Sequence, residues 1–262
     1  METTLSRGPV RRSAPSLWRG LRLTMTLLVV ALAGGLGWFG WNLTPISALP
    51  QTAQALRSDA QVRVATEPWL SFEPAGAPRA GLIFYPGARV DAQAYAPAAR
   101  AIAQQGFLVV VVPMPLNLSL LGAGRAQEVI DAFPAVRNWA IGGHSLGGTS
   151  AADFAAGHPG AVKGLVLWAS YPQPSADLSQ SGLATVQVAG ERDGVINTER
   201  LAQSRALLPS DAQIVTIAGG NHAQFGWYGP QSGDQPATIP PEEQQRQTVA
   251  ATITLLERIA TR

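Results

Sequence analysis

Beyond residue 60 the chain alternates short apolar runs with longer stretches of helical periodicity. The runs 80–85, 107–112, 136–141, 164–168, 184–189 and 213–217 read as strands. Continuous apolar strands separated by helices predict a parallel sheet covered on both faces. Between them, 92–105, 125–132, 149–156 and 198–208 read as helices, and Pro241-Glu242-Glu243 opens a closing helix over 241–261. Segments 61–66 and 69–73 predict the arms of a leading hairpin. The expected fold class is therefore α/β, a doubly wound, mostly parallel sheet with helices on both faces. It occupies residues 59–262 as one domain.

The pattern before residue 59 is of another kind. Leu23 to Trp41 carries no charge, and no charged residue stands between Arg22 and Arg57. Such a run is long enough to cross a hydrocarbon core as a helix. Trp38 and Trp41 fall where an interfacial aromatic belt would lie. Arg7, Arg11, Arg12, Arg19 and Arg22 precede it. The positive-inside rule then predicts a basic cytoplasmic tail over 1–22, a transmembrane helix over 23–43 and an extracytoplasmic main domain. The alternative is a cleaved signal segment and a secreted protein. Ala53-Gln54-Ala55 fits the small-x-small rule, although it lies about a dozen residues past the apolar run. Gly34, Gly35, Gly37 and Gly40 argue against a buried core helix in water. Residues 44–58, with Pro45 and Pro50, read as a linker.

Charge and composition then narrow the partners. The whole chain of 262 residues has a formal charge of +2, but its N-terminal arginines supply the excess. Without residues 1–25 the main domain is near neutral. A nucleic-acid binder needs a basic face on the folded domain itself, so that class is excluded. The chain has no cysteine, which removes disulfides, thiolate metal sites and a Cys nucleophile.

In a doubly wound sheet, functional residues gather at the carboxyl ends of strands. Run 136–141 leads into Gly142-Gly143-His144-Ser145-Leu146-Gly147-Gly148, which contains Gly143-x-Ser145-x-Gly147. A nucleophile on a sharp strand-to-helix turn needs glycines there because strand and helix pass close together. Run 184–189 ends in Gly190-Glu191-Arg192-Asp193-Gly194, and run 213–217 in Gly219-Gly220-Asn221-His222. The order Ser, acid, His is the one this fold uses for acyl transfer. A serine hydroxyl is barely nucleophilic unless an imidazole takes its proton, and the imidazole needs a carboxylate to fix its tautomer.

Of the three histidines, His144 reads as the interior residue of the turn, pointing away from Ser145. His158 reads as a cap before Pro159, which leaves His222 as the base. Asp193 is the favoured acid, with Glu191 and Asp177 as alternatives. The backbone N–H of Leu146 is one expected oxyanion donor. Pro86-Gly87-Ala88-Arg89 should supply the second; Pro86 has no N–H and Gly87 turns the chain, so the Ala88 amide is the candidate.

Tyr85-Pro86-Gly87-Ala88, Gly143-His144-Ser145-Leu146-Gly147, Gly190 to Asp193 and Gly220-Asn221-His222 together resemble the α/β-hydrolase superfamily. Within it the chain is similar to the compact, lid-poor dienelactone-hydrolase-type and small-esterase domains. The resemblance implies Ser145 as nucleophile, Asp193 as acid, His222 as base, and Ala88 and Leu146 as oxyanion donors. It implies no cofactor and no metal; the chain has neither a His/Asp cluster at ligand spacing nor a phosphate loop. Dienelactone hydrolases proper use a cysteine, so that substrate is not implied. Tyr85-Pro86-Gly87 also stands where many esterases carry His-Gly.

Too few residues separate Trp168 from Ala184 for a helical lid, which predicts an open site. Trp168, Tyr171, Phe225, Trp227 and Tyr228 are candidates to line it or to pack beneath it, and Leu116–Gly124 to border it. The expected partner is a small ester or acyl compound and the expected reaction hydrolysis through an acyl-enzyme. Alternatives are acyl transfer or perhydrolysis on the same residues, or an inactive membrane-tethered binding protein.

Overall fold

The computed structural model describes residues 24–30 and 44–261. One compact unit spans Pro45–Arg262 and a second spans Met1–Thr44. In the N-terminal unit, residues 24–30 are helical with their apolar side chains exposed. The rest of the expected tail and anchor, 1–23 and 31–43, lies outside the described residues. Among the described residues no helix is long and apolar enough to cross a membrane.

The main unit holds eight strands: β1 (Val62–Ala65), β2 (Leu70–Pro74), β3 (Gly81–Tyr85), β4 (Leu108–Val111), β5 (Trp139–His144), β6 (Gly164–Trp168), β7 (Ala184–Gly190) and β8 (Gln213–Ile217). They form one sheet in the order β1-β2-β4-β3-β5-β6-β7-β8. The β1 and β2 pairings are antiparallel and every other pairing is parallel. Five helices connect or close it: α1 (Ala96–Ala103), α2 (Arg125–Ala132), α3 (Leu146–Gly157), α4 (Thr198–Gln203) and α5 (Pro241–Ala260).

The doubly wound expectation follows through to the packing. Alternate residues of β3 show the logic: Leu82 and Phe84 face a core completed by α1 and α5, whereas Ile83 and Tyr85 face one completed by α2 and α3. Strands buried on both faces have no polar side to present, hence their continuous apolar runs. The edge strands β1 and β8 differ, and β8 is the more exposed. Its Gln213 and Ile214 are exposed, with Ile214 at 38%.

From β3 the chain steps outward to β4 and then crosses back past β3 to β5, so the winding reverses there. A crevice opens outside the carboxyl ends of strands at such a reversal. Tyr85–Ala88 and Ser145 follow the two strands that flank it.

Two boundaries differ from the expected ones for steric reasons. β5 does not stop at Ile141 but runs through Gly142 and Gly143 to His144. A Cβ on Gly142 would lie 2.5 Å from the Val166 carbonyl oxygen, so glycine is what lets this part of the strand pair with β6. The following helix starts at Leu146 rather than Thr149, directly after Ser145.

The stretch 44–58 is not the free linker its prolines suggest. Ile46 donates its N–H to the Arg89 carbonyl (2.7 Å), and the Asp91 N–H returns to the Ile46 carbonyl (3.0 Å). Leu49 N–H reaches the Trp227 carbonyl at 2.8 Å. Thr52 and Ala55, in and after a 3-10 turn, are buried. Pro50 opens the 3-10 turn Pro50–Gln54, and neither proline releases the chain from the domain. A protein beginning at residue 59 is expected to melt about 5–10 °C below one beginning at residue 45, in a scanning-fluorimetry comparison. Equal midpoints would show that these contacts add nothing.

Candidate active site

Ser145 sits at φ 53°, ψ −123°, a conformation that costs a non-glycine residue about 1–3 kcal/mol unless its surroundings enforce it. The enforcement is visible. Its N–H donates to the Trp168 carbonyl (2.9 Å), and its carbonyl accepts from the Ser170 hydroxyl (2.7 Å) and the Gly148 N–H (3.0 Å). The glycines around it are required by space. A Cβ on Gly147 would fall 2.1 Å from the Tyr85 carbonyl oxygen, and one on Gly143 would fall 2.4 Å from the Gly147 backbone. The turn therefore presses against the end of β3. Leu146 opens α3, and amides of a first helical turn have no partner inside the helix.

Loop 86–90 is closed by the Val90 N–H on the Gly87 carbonyl (3.1 Å), with Arg89 in the left-handed region at φ 66°. The Gly87 N–H donates to the Tyr95 hydroxyl oxygen at 3.0 Å. That amide is committed, and Ala88 is the next along the turn.

His222 and Asp193 come together at the ends of β8 and β7. His222 Nδ1 lies 2.8 Å from Asp193 Oδ2, and each side chain is 1% exposed. The other Asp193 oxygen accepts the Val195 and Ile196 amides, both at 2.9 Å, which fixes the carboxylate in its turn. Of the alternatives, Glu191 accepts from the Gly219 N–H and Asp177 from the Ser179 N–H. Neither pairs with His222 among the described contacts. His222 Nε2 is buried and has no hydrogen-bond partner among the described residues. The structure draws no hydrogen bond from Ser145 Oγ to His222; what joins them is His144, the residue before Ser145, whose ring centroid lies 4.5 Å from that of His222.

His144 thus does more than fill the interior of the turn. It is buried, and its Nδ1 is 2.9 Å from the Tyr95 hydroxyl. Burial, followed by the neighbouring His222, drives its pKa well below 6.5, so the ring stays neutral. His158 stands apart, with Nδ1 2.9 Å from the Phe154 carbonyl and its ring stacked on Phe154.

Sequence reasoning missed the residues that hold the base loop. Asp234 Oδ1 accepts from His222 N–H (3.2 Å) and Gly194 N–H (3.0 Å), while Oδ2 accepts from Ala223 N–H (2.8 Å). One carboxylate therefore gathers the turns that follow β7 and β8. Gln244, buried on α5, accepts from Asn221 N–H (2.9 Å) and donates to the Asn221 carbonyl (2.7 Å). Polar side chains on a Pro-Glu-Glu helix carry no local sign of such partners.

The candidate aromatics divide. Trp168 and Phe225 are core residues, and Trp168 donates its indole N–H to Thr252 (3.1 Å). Tyr228 is also buried. Trp227 lines a cleft of about 450 Å³ beside the base loop, with Leu49, Gln224 and Gln231. Tyr171 lines another, of about 460 Å³, with Arg200. The segment between β6 and β7 has no helix, so no helical lid arises there. Loop 115–121 is stitched to the site: the Arg89 N–H donates to the Asn117 carbonyl, and the Ser119 hydroxyl to the Leu146 carbonyl. Leu116, Leu120 and Leu121 on that loop are 56–63% exposed.

A family model described as the alpha/beta hydrolase family matches residues 81–246. No curated protein matches the chain. Among solved structures, TT1662 from Thermus thermophilus aligns with a TM-score of 0.57 at 16% identity, over 75% of this chain and 99% of that one. The esterase domain of a Rhodothermus marinus protein aligns at 0.56 and 14% identity, over 73% and 92%. A dienelactone hydrolase from Anabaena variabilis aligns at 0.53 and 17%, over 74% and 97%. At these identities the likeness is one of fold.

Two outcomes follow from the geometry. Asp234→Ala removes the acceptor of the amides of buried His222 and Ala223, which should lower stability by about 1–3 kcal/mol in urea titrations. An unchanged midpoint would remove Asp234 from the framework. His144 also makes stability depend on pH. The unfolded chain takes up a proton below about pH 6.5 while the folded one does not, so stability should fall by up to about 1.4 kcal/mol per pH unit below that point. His144→Gln should flatten the contribution; identical pH curves for the two proteins would contradict a neutral buried ring.

Proposed function

The chain belongs to the alpha/beta hydrolase family, and from that premise we propose that it is a serine hydrolase cleaving a carboxylic ester or related small acyl compound. The observation that carries the reading is His222. Its Nδ1 is bound to a buried Asp193, and its Nε2 is withdrawn from water without a hydrogen-bond partner among the described residues. A buried imidazole fixed by a buried carboxylate, at the same end of the sheet as Ser145, is the pairing that a general base requires.

In this reading Ser145 Oγ attacks the acyl carbonyl as His222 Nε2 takes its proton, and Asp193 stabilises the imidazolium that forms. The amides of Ala88 and Leu146 receive the developing oxyanion. His222 returns the proton to the leaving alcohol. A water molecule, deprotonated by the same imidazole, then releases the acid and regenerates Ser145. The lidless rim supports access by water, which favours hydrolysis over transfer to another acceptor. The exposed leucines of loop 115–121 support an apolar acyl group. For the N-terminus, the uncharged run 23–41 after five arginines supports a membrane anchor with the catalytic domain outside the cytoplasm.

Full-length protein in detergent is expected to react with a fluorophosphonate at one serine, and Ser145→Ala or His222→Ala to abolish labelling. Asp193→Asn should lower kcat by about 10⁴ on a short-chain p-nitrophenyl ester. Folded wild-type protein that fails to label would end the serine-hydrolase reading.

A further inference from the structure

Two buried side chains that take no part in bond making join the three parts of the site. Tyr95 ends the 3-10 turn Ala92–Tyr95 and is 1% exposed. Its hydroxyl oxygen accepts the Gly87 N–H (3.0 Å) and lies 2.9 Å from His144 Nδ1. An amide can only donate, so the phenol oxygen accepts from Gly87 and shares its second hydrogen bond with His144 Nδ1. Burial raises the phenol pKa, so the hydroxyl keeps its proton.

That ring is the floor on which the base rests. Its centroid is 4.5 Å from His222, 5.6 Å from Phe225 in a stacked arrangement, and 6.2 Å from Tyr228. The titratable groups around it are Tyr95, Tyr228 and His222, with Asp193 behind His222. The fit to the oxyanion turn is equally close. A Cβ on Gly87 would lie 2.8 Å from His144 Nδ1 and 3.1 Å from the Tyr95 oxygen.

We propose that Tyr95 and His144 are positioning residues for acyl transfer: the Tyr95 hydroxyl pins Gly87 so that the following amide, Ala88, faces the oxyanion, and the His144 ring holds the His222 imidazole within reach of Ser145. The proposal rests on the serine-hydrolase reading. A neutral ring suits the task, because His222 becomes a cation during the reaction and a charged neighbour would oppose it.

The test compares full-length wild type with Tyr95→Phe, His144→Leu and His144→Gln, the last keeping a hydrogen-bond partner for the phenol. Thr252→Val, which removes a buried hydroxyl bonded to Trp168, serves as the stability control. Fluorophosphonate labelling rates, kcat and KM on a p-nitrophenyl ester, and thermal midpoints are measured for each. Tyr95→Phe and His144→Leu should lower kcat and labelling rate by about 10- to 100-fold, the cost of small misplacements of reacting groups. KM should stay within about twofold. His144→Gln should recover most of the loss, and Thr252→Val should lose thermal stability with kcat unchanged.

The proposal is overturned if folded Tyr95→Phe and His144→Leu keep wild-type kcat. It is overturned equally if His144→Gln is no better than His144→Leu, or if Thr252→Val loses as much kcat for the same drop in midpoint. Wild type that does not label at all overturns the serine-hydrolase reading itself, a result distinct from wild type that labels while the variants match it.

Discussion

Everything at the carboxyl end of this sheet depends on how closely helix α3 descends onto strands β3 and β6. Three glycines set that distance, and a fourth, Gly142, sets β5 against β6. Gly142 admits the β6 backbone, and Gly143 and Gly147 let the turn meet itself and the end of β3. A Cβ on Gly148 would lie 2.6 Å from the Ser170 side chain, the group that holds the Ser145 carbonyl. A methyl group at any of these positions meets an atom closer than 3 Å. Packing this tight has little room to relax, so the serine, the first amide of α3 and the oxyanion turn are placed as one rigid body.

Asp193 and His222 are placed by close packing and hydrogen bonds together. A Cβ on Gly190 would lie 2.6 Å from the Gly220 backbone, and one on Gly194 2.5 Å from the Gly233 carbonyl oxygen. Hydrogen bonds from distant partners add to this: Asp234 across both turns, Gln244 from α5, and the Leu49 N–H from the segment before the first strand. His144 and Tyr95 lie where the two halves meet. The site thus combines a half fixed by packing around Ser145 and a half where packing and long-range hydrogen bonds act together, bridged by two rings.

This division explains what could be read from the residues alone. The sheet and its strand ends were legible because buried parallel strands leave continuous apolar runs and because functional groups follow from topology. The places of Ser145, Asp193 and His222 just past the ends of β5, β7 and β8 were legible for the same reason. The glycines announced close contact, though not that β5 would continue through them. Asp234, Gln244 and Tyr95 left no trace, since their partners lie 8 to 40 residues away in sequence and nothing in a polar or aromatic residue reports a distant amide. Pro45 and Pro50 misled in the opposite sense. Proline is as much at home in the first turn of a helix as in a linker, and Pro50 opens a 3-10 turn. Ile46 satisfies its backbone by bridging to the oxyanion turn instead.

The left-handed backbone at Ser145 has a consequence on the timescale of descent. Glycine adopts that conformation without penalty, so the serine is held against the chain's own preference. A lineage that ceased to need the hydroxyl would gain stability by the simplest of substitutions at this one position. Drift toward a more stable backbone at this position therefore leads directly away from the hydroxyl.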